Sequence, residues 1–84
     1  MTRLNVAFVK EQGVNFAVLL VKDRALDSPT EREALVRQGA FHFGQPTVLL
    51  GELRHRLFGR RDIVRFLENV HPSRLPWKEV TLAA

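Results

Sequence analysis

The chain has no cysteine and no tyrosine among its 84 residues, and it contains one tryptophan and one methionine. Without cysteine there is no disulfide, no thiolate nucleophile and no zinc site of the cysteine-containing types. The absence is compatible with a reducing compartment. The composition therefore argues against a disulfide-stabilised secreted domain and excludes thiol-based redox chemistry.

Long hydrophobic runs are also absent. The most apolar stretch, residues 14–21, is interrupted by Asn15 and is far shorter than the about 20 residues that span a bilayer. The N-terminus lacks the basic end, apolar run and small-residue cleavage site of a signal peptide. These features predict a cytoplasmic protein that does not associate with a membrane.

The small size limits both the core and the number of residues left for chemistry. A chain of 84 residues is short for even one average domain, so we expect residues 1–84 to form a single domain. Domains of about this size bury only about 60–65 percent of the surface of the unfolded chain. Most of the hydrophobic residues, 45 percent of the total, must therefore be used in the core.

The first 21 residues predict a β-hairpin. Residues 4–9 and 14–21 are rich in Val, Phe and Leu, and Gly13 lies between them. Glycine is favoured in hairpin loops because it adopts positive φ without steric cost. The second strand is apolar on both of its faces, so we expect it to be central in the sheet and covered on both sides.

The register of this hairpin follows from a packing argument. A three-residue loop places the large side chains on one face, whereas a two-residue turn pairs Phe8 with Ala17 and divides the bulky groups between the faces. We prefer the first register because a short chain has little core to divide. The predicted pairs are Phe8 with Phe16, Val6 with Val18, and Leu4 with Leu20.

The middle of the chain predicts a helix followed by a buried strand. Ser28 is a suitable N-cap, Pro29 fits the first helical position, and Glu31 completes a capping box. Gly39 either ends this helix or lies within it at a cost of about 1 kcal/mol relative to alanine. Residues 47–50 then predict a short buried strand.

The C-terminal third predicts a brief edge strand at residues 57–58 and a helix over about 60–70 that Pro72 ends. An extended linker over residues 72–76 and a last strand over 78–82 are expected to follow. The element order is β-hairpin, helix, strand, helix, strand. We therefore predict an α+β fold, with a mixed sheet of four to five strands and two helices mainly on one face.

One pattern extends over residues 16–70. It consists of a strand running into Asp23, a helix, Gln45-Pro46-Thr47 before an apolar strand, a short polar turn, Gly59, and a helix ending in Phe66-Leu67. With this pattern, the segment resembles the second half of a thioredoxin-type fold. The resemblance implies a partial thioredoxin-like α/β arrangement with a cis bond before Pro46. A cysteine pair is missing and a hairpin stands where the first strand and active-site helix belong, so the resemblance implies no redox activity.

Groups suited to catalysis are few, with two serines, three aspartates and three histidines. The spacing of His42, His55 and His71 matches no metal-binding pattern. We expect His42 to be packed or half-buried and His71 to interact with the last carbonyls of a helix. The glycines do not form a phosphate-binding loop. We therefore predict no catalytic residue, no cofactor and no metal, and a small enzyme is the least favoured alternative.

The positive charge is concentrated in one segment. The net charge is +4, and it arises after residue 53, because the residues before it carry equal numbers of acidic and basic side chains. A basic cluster at the start of a helix favours phosphate or nucleic acid. The competing interpretation is a solvated face with local ion pairs, beginning with Asp62. The candidate contacts are Arg54, Arg56, Arg60, Arg61 and Arg65.

These observations favour a cytoplasmic, non-enzymatic accessory or protein-interaction module. Its partner is predicted to be a protein, including a second copy joined through a sheet edge. Trp77 is expected to fill the core beneath the last strand, with a partner-facing anchor as the alternative. The alternative function is phosphate or nucleic-acid binding through the arginine cluster, which predicts oligonucleotide binding that weakens steeply between about 50 and 200 mM salt.

Overall fold

The computed structural model describes residues 2–11 and 13–82 of the chain. The strands are β1 (Thr2–Glu11), β2 (Val14–Val21), β3 (Thr47–Gly51), β4 (Leu57–Phe58) and β5 (Trp77–Leu82). The helices are α1 (Asp23–Leu26), α2 (Pro29–Phe43), α3 (Arg61–Leu67) and a 3₁₀ turn (Pro72–Arg74).

The strands form one mixed sheet in the order β4-β3-β2-β1-β5. β2 and β3 are parallel, and the other three neighbouring pairs are antiparallel. The α+β fold and the initial hairpin are therefore confirmed, as is the central position of β2. The short strand β4 and the C-terminal strand β5 are the two edges.

The predicted hairpin register is wrong. Phe8 pairs with Ala17, and Val6 pairs with Leu19. Only residues 12 and 13 separate Glu11 from its partner Val14, and Gly13 has a φ of 79°. Because the sheet buries both of its faces, as the apolar second strand had indicated, placing Phe8 and Phe16 on one face brings no gain in core, and the two-residue turn is accommodated.

The bulky residues are divided between two cores on opposite faces of the sheet. On one face, Val6, Ala17, Leu19 and Leu49 pack with residues of α1 and α2, and we call this the α2-face core. On the other face, alternate residues of the same strands pack with α3 in the α3-face core. Its buried members are Ala7, Phe16, Val18, Val48, Leu50, Ile63 and Leu67. The prediction that the two helices lie mainly on one face is therefore wrong.

Helix α2 begins as its sequence predicts. The Oγ of Ser28 accepts a hydrogen bond from the N–H of Glu31 at 3.3 Å, and Pro29 occupies the first turn. Gly39 lies inside the helix and is buried, and the helix ends at Gly44 with a φ of 68°. Gly39 is therefore an interior residue, the second of the two alternatives left open by the sequence.

Three segments differ in detail from the predictions. Helix α3 is shorter than the predicted range, and the extended linker that we expected after it contains the 3₁₀ turn. The peptide bonds of the described ranges are all trans, Pro46 included, which departs from the thioredoxin-type alternative. Within those ranges, no helix is long and apolar enough to cross a membrane.

Candidate functional site

Two of the five candidate arginines are engaged in ion pairs within the chain. Arg56 donates to the carboxylate of Asp27 at 2.9 Å and to the backbone carbonyl of Asp23 at 2.8 Å. The Nε of Arg60 lies 2.9 Å from the carboxylate of Asp62. These two guanidinium groups therefore have local acidic partners, as the solvated-face interpretation expects.

The other three candidates do not form one cluster. Arg54 lies in the turn after β3, at the end of the sheet where Val21 pairs with Gly51. Arg61 begins α3. The first turn of α3 and Glu11 of the hairpin line the same cavity. The hairpin turn and the β3–β4 turn are at opposite ends of β2. Arg54 is therefore separated from Arg61 by the length of the sheet.

Arg61 and Arg65 are the pair that remains together. Both are exposed on α3, and their spacing of four places them on one side of the helix. Neither has a salt-bridge partner among residues 2–11 and 13–82. Two exposed cations are a much smaller phosphate-contacting surface than the five that the sequence suggested.

Asp23 organises the turn that carries Arg54. Its carboxylate accepts hydrogen bonds from the backbone N–H groups of Leu53 at 3.1 Å and Arg54 at 3.0 Å. Gly51 packs directly against it, because a Cβ on that glycine would lie 2.6 Å from the Asp23 Oδ1. Asp23 therefore ties α1 to the β3–β4 turn. Its role was missed because its partners are about 30 residues away in sequence.

The structure brings two of the three histidines together. His55 and His71 line a cavity of about 500 Å³ that also includes Glu68. We call this cavity, between α3, the β3–β4 turn and the 3₁₀ turn, the histidine groove. His42 lies elsewhere, on α2, and is exposed, so the prediction that it is packed or half-buried is wrong. Its neighbour Phe41 is 84 percent exposed, so the surroundings expected to cover His42 are missing.

His71 caps the 3₁₀ turn and does not cap the end of α3. Its Nδ1 accepts a hydrogen bond from the N–H of Ser73 at 3.2 Å and lies 2.7 Å from the Ser73 Oγ. The expectation that it contacts the last carbonyls of a helix is wrong because α3 ends at Leu67. In the part of the chain that the structure describes, no carboxylate is hydrogen-bonded to a histidine, and no group of acidic and histidine residues is suited to a metal.

Trp77 connects the last strand to the α3-face core. Its side chain is half-buried and packs against that core. The indole Nε1 donates to the backbone carbonyl of Pro72 at 2.8 Å. These contacts agree with the core interpretation of Trp77, and its role as a partner anchor stays a prediction.

The two edges of the sheet differ in length and cover. Edge strand β4 has two residues, and the guanidinium carbon of Arg32 lies 4.6 Å from the ring centre of Phe58. Edge strand β5 has six residues, and none of the other described strands pairs with its outer side. β5 is therefore the longer and less covered edge.

The charged side chains of β5 lie over the faces of the sheet. The Nζ of Lys78 is 5.0 Å from the ring centre of Phe8, and Glu79 lies 4.0 Å from the Nε of Arg3. Both contacts are to β1, the inner neighbour of β5. In an antiparallel strand, alternate residues direct their N–H and C=O groups away from the inner neighbour. The outer side of β5 therefore offers backbone donors and acceptors.

Comparison of the chain with protein-family models, curated proteins and solved structures finds no match. The geometry of the described residues is therefore the basis for a functional proposal.

Proposed function

We propose that the protein is a small non-enzymatic interaction module that binds another polypeptide along the outer side of β5. The observation that carries this proposal is the six-residue edge strand whose outer side is unpaired among the described strands. An extended segment of a partner can add to such an edge through main-chain hydrogen bonds.

The composition of β5 also supports strand addition. Proteins commonly protect an edge with a very short strand, charged side chains, a bulge, a proline or a covering helix. Strand β4 is protected by its length of two residues. The antiparallel register of β5 against β1 is continuous from Trp77 to Leu82, and its proline, Pro76, precedes the strand. Lys78 and Glu79 are the charges that limit indiscriminate pairing.

The two alternative functions have weaker support from the geometry. Phosphate or nucleic-acid binding through the arginines is weakened by the ion pairs of Arg56 and Arg60 and by the distance of Arg54 from α3. A small enzyme gains the shared cavity of His55 and His71. It lacks a carboxylate hydrogen-bonded to either ring in the described ranges, so the groove has no oriented acid–base pair.

Site-specific photo-crosslinking tests the proposal. A photoreactive amino acid replaces Thr81, which is exposed on β5, and a matched control places the same group at Gln38, which is exposed on α2. Crosslinking is carried out in cells with the full chain, and the adducts are identified by mass spectrometry. We expect polypeptide adducts from position 81 and none above background from position 38.

Equal adduct yields from the two positions would contradict the proposal, because they would indicate collision and not binding at an edge. The absence of adducts from both positions would contradict it as well. A circular dichroism spectrum of each substituted protein checks that the fold is retained, so a negative result does not arise from unfolding.

A further inference from the structure

We infer that the strand that adds to β5 is β5 of a second copy of this chain, aligned antiparallel with Val80 opposite Val80. This inference rests on the proposed function, because it uses the same edge. It adds the identity of the partner and the register of the pairing, each of which the proposed function leaves open.

A two-fold axis perpendicular to the sheet restricts the possible registers. Such an axis joins two edge strands into one continuous sheet and keeps each face on the same side. Directly opposite residues in an antiparallel pair share a face. Lys78 and Val80 face α2, since Lys78 lies over Phe8 and Val80 packs against the α2-face core. Glu79 lies on the opposite face because side chains alternate along a strand.

Two symmetric registers pair most of the strand. Each two-fold register is centred on one residue that faces its own copy. In a strand of six residues, 77–82, centring on Glu79 pairs residues 77–81, and centring on Val80 pairs residues 78–82. Centring on Lys78 or Thr81 pairs only three residues of the same strand. The choice is therefore between Glu79 and Val80.

Charge decides between these two registers. Centring on Glu79 places two carboxylates directly opposite each other, and like charges in that position are destabilising. Centring on Val80 pairs two β-branched side chains and places Glu79 opposite Thr81 of the other copy. β-branched cross-strand pairs are favourable on a half-buried face. Only the second register avoids a like-charge pair at the two-fold axis.

The Val80 register also extends an existing core. Val80 is partly buried against the α2-face core. Pairing with a second Val80 covers the outer side of this residue and places the two α2-face cores side by side. The two five-stranded sheets then form one continuous sheet, in which neither β5 is an edge.

Disulfide trapping tests the register, because the chain has no native cysteine. Opposite residues in an antiparallel pair have Cα atoms about 4.5–5.5 Å apart, within the range that a disulfide requires. In the Val80 register, residue 79 is opposite residue 81 of the other copy. Residue 79 of the second copy is therefore two positions along the strand from the point opposite residue 79 of the first copy. Because each position rises about 3.4 Å, the two Cα atoms are about 8 Å apart, which exceeds the about 7 Å limit for a disulfide.

The experiment uses Glu79→Cys and Thr81→Cys, each in the full chain, one of them carrying a small tag so that mixed dimers are visible on a gel. Under mild oxidation, we expect the mixture to form a mixed disulfide dimer, with little dimer from Thr81→Cys alone, which retains Glu79. Val80→Cys alone is expected to form a symmetric disulfide dimer. The first two positions are exposed, so these variants keep the test valid if the third fails to fold.

Three outcomes would overturn the inference. A mixed dimer of Lys78→Cys with Val80→Cys, both of which retain Glu79, would indicate the other register, because that register places residue 78 opposite residue 80. Equal disulfide formation in all mixtures would indicate random collision. A wild-type chain that stays monomeric in sedimentation at every soluble concentration would rule out self-pairing. In that last case, photo-crosslinked adducts from position 81 to a different protein would leave the proposed function intact, whereas no adducts at all would remove both.

Discussion

Gly39 gives the most direct test of how α2 packs on the sheet. It lies in the interior of α2, where alanine is normally favoured over glycine by about 1 kcal/mol. A Cβ at this position would lie 2.6 Å from Cγ2, 2.8 Å from Oγ1 and 2.9 Å from Cβ of Thr47. Thr47 is 2 percent exposed and begins β3, so it has little room to move.

We expect Gly39→Ala to destabilise the protein despite the gain in helix propensity. Overpacking of a close contact costs about 1–3 kcal/mol, and three contacts below 3.0 Å place this site toward the upper end. Subtracting about 1 kcal/mol for propensity leaves a net loss of about 1–2 kcal/mol. For a domain of this size, the melting temperature should fall by about 5–15 °C.

A double-mutant cycle identifies the cause. Thr47→Ala removes two of the three clashing atoms, so Gly39→Ala should be less destabilising in that background, with a coupling energy of about 1–2 kcal/mol. Gly44→Ala is the matched control. Its Cβ would meet no atom within 4 Å, so its cost of about 1–2 kcal/mol comes from the positive φ alone and should not couple to Thr47→Ala.

Urea denaturation of the four proteins of each cycle, followed by circular dichroism, gives the free energies of unfolding. If Gly39→Ala stabilises the protein by the helix-propensity difference, then α2 does not pack against β3 as closely at Gly39 as the structure shows. Equal coupling of Thr47→Ala to the two glycine substitutions would also refute the reasoning, because a Cβ at Gly44 would meet no atom of Thr47 within 4 Å.

Two further substitutions test contacts near the candidate sites. Asp23→Ala should lower the free energy of unfolding by about 1–2 kcal/mol, since it removes two charge-assisted hydrogen bonds at a partly exposed position. Asp27→Ala should lower it by less than about 1 kcal/mol, because it removes one solvent-exposed ion pair. Equal losses in urea denaturation would contradict this ranking. Trp77→Phe should cost about 0.5–1.5 kcal/mol, because it keeps an aromatic ring and removes the hydrogen bond from the indole to the partly buried carbonyl of Pro72, which still accepts from the N–H of Leu75. Unchanged stability in thermal denaturation would show that the indole bond contributes nothing.

Local sequence signals predicted the elements whose causes are local. Ser28 and Pro29 define the start of α2 because capping depends on residues within one helical turn. The short strand at residues 57–58 and the buried strand that begins at Thr47 were likewise predicted within a residue or two. In each case, composition and turn residues specify the element without reference to its neighbours.

The functional candidates were less predictable because they depend on distant parts of the chain. The five arginines are close in sequence, yet a turn and strand β4 separate Arg54 from Arg61 in space. Arg56 and Arg60 form ion pairs with acidic residues. His55 and His71 are well separated in sequence, yet the fold places both in one groove. Proximity along the chain therefore indicated the wrong grouping in the first case and hid the right one in the second.

The absence of cysteine, the division of charge and the order of strands and helices followed from the sequence, because each depends on composition or on interactions within a few residues. The sequence indicated that the second strand is covered on both sides, but which side chains of the hairpin face which core was decided by the tertiary structure. That decision set the hairpin register, since with two cores to fill, Phe8 and Phe16 no longer need to share a face. It also left β5 as the longer open edge, because strand order depends on pairings between distant segments that no local pattern specifies.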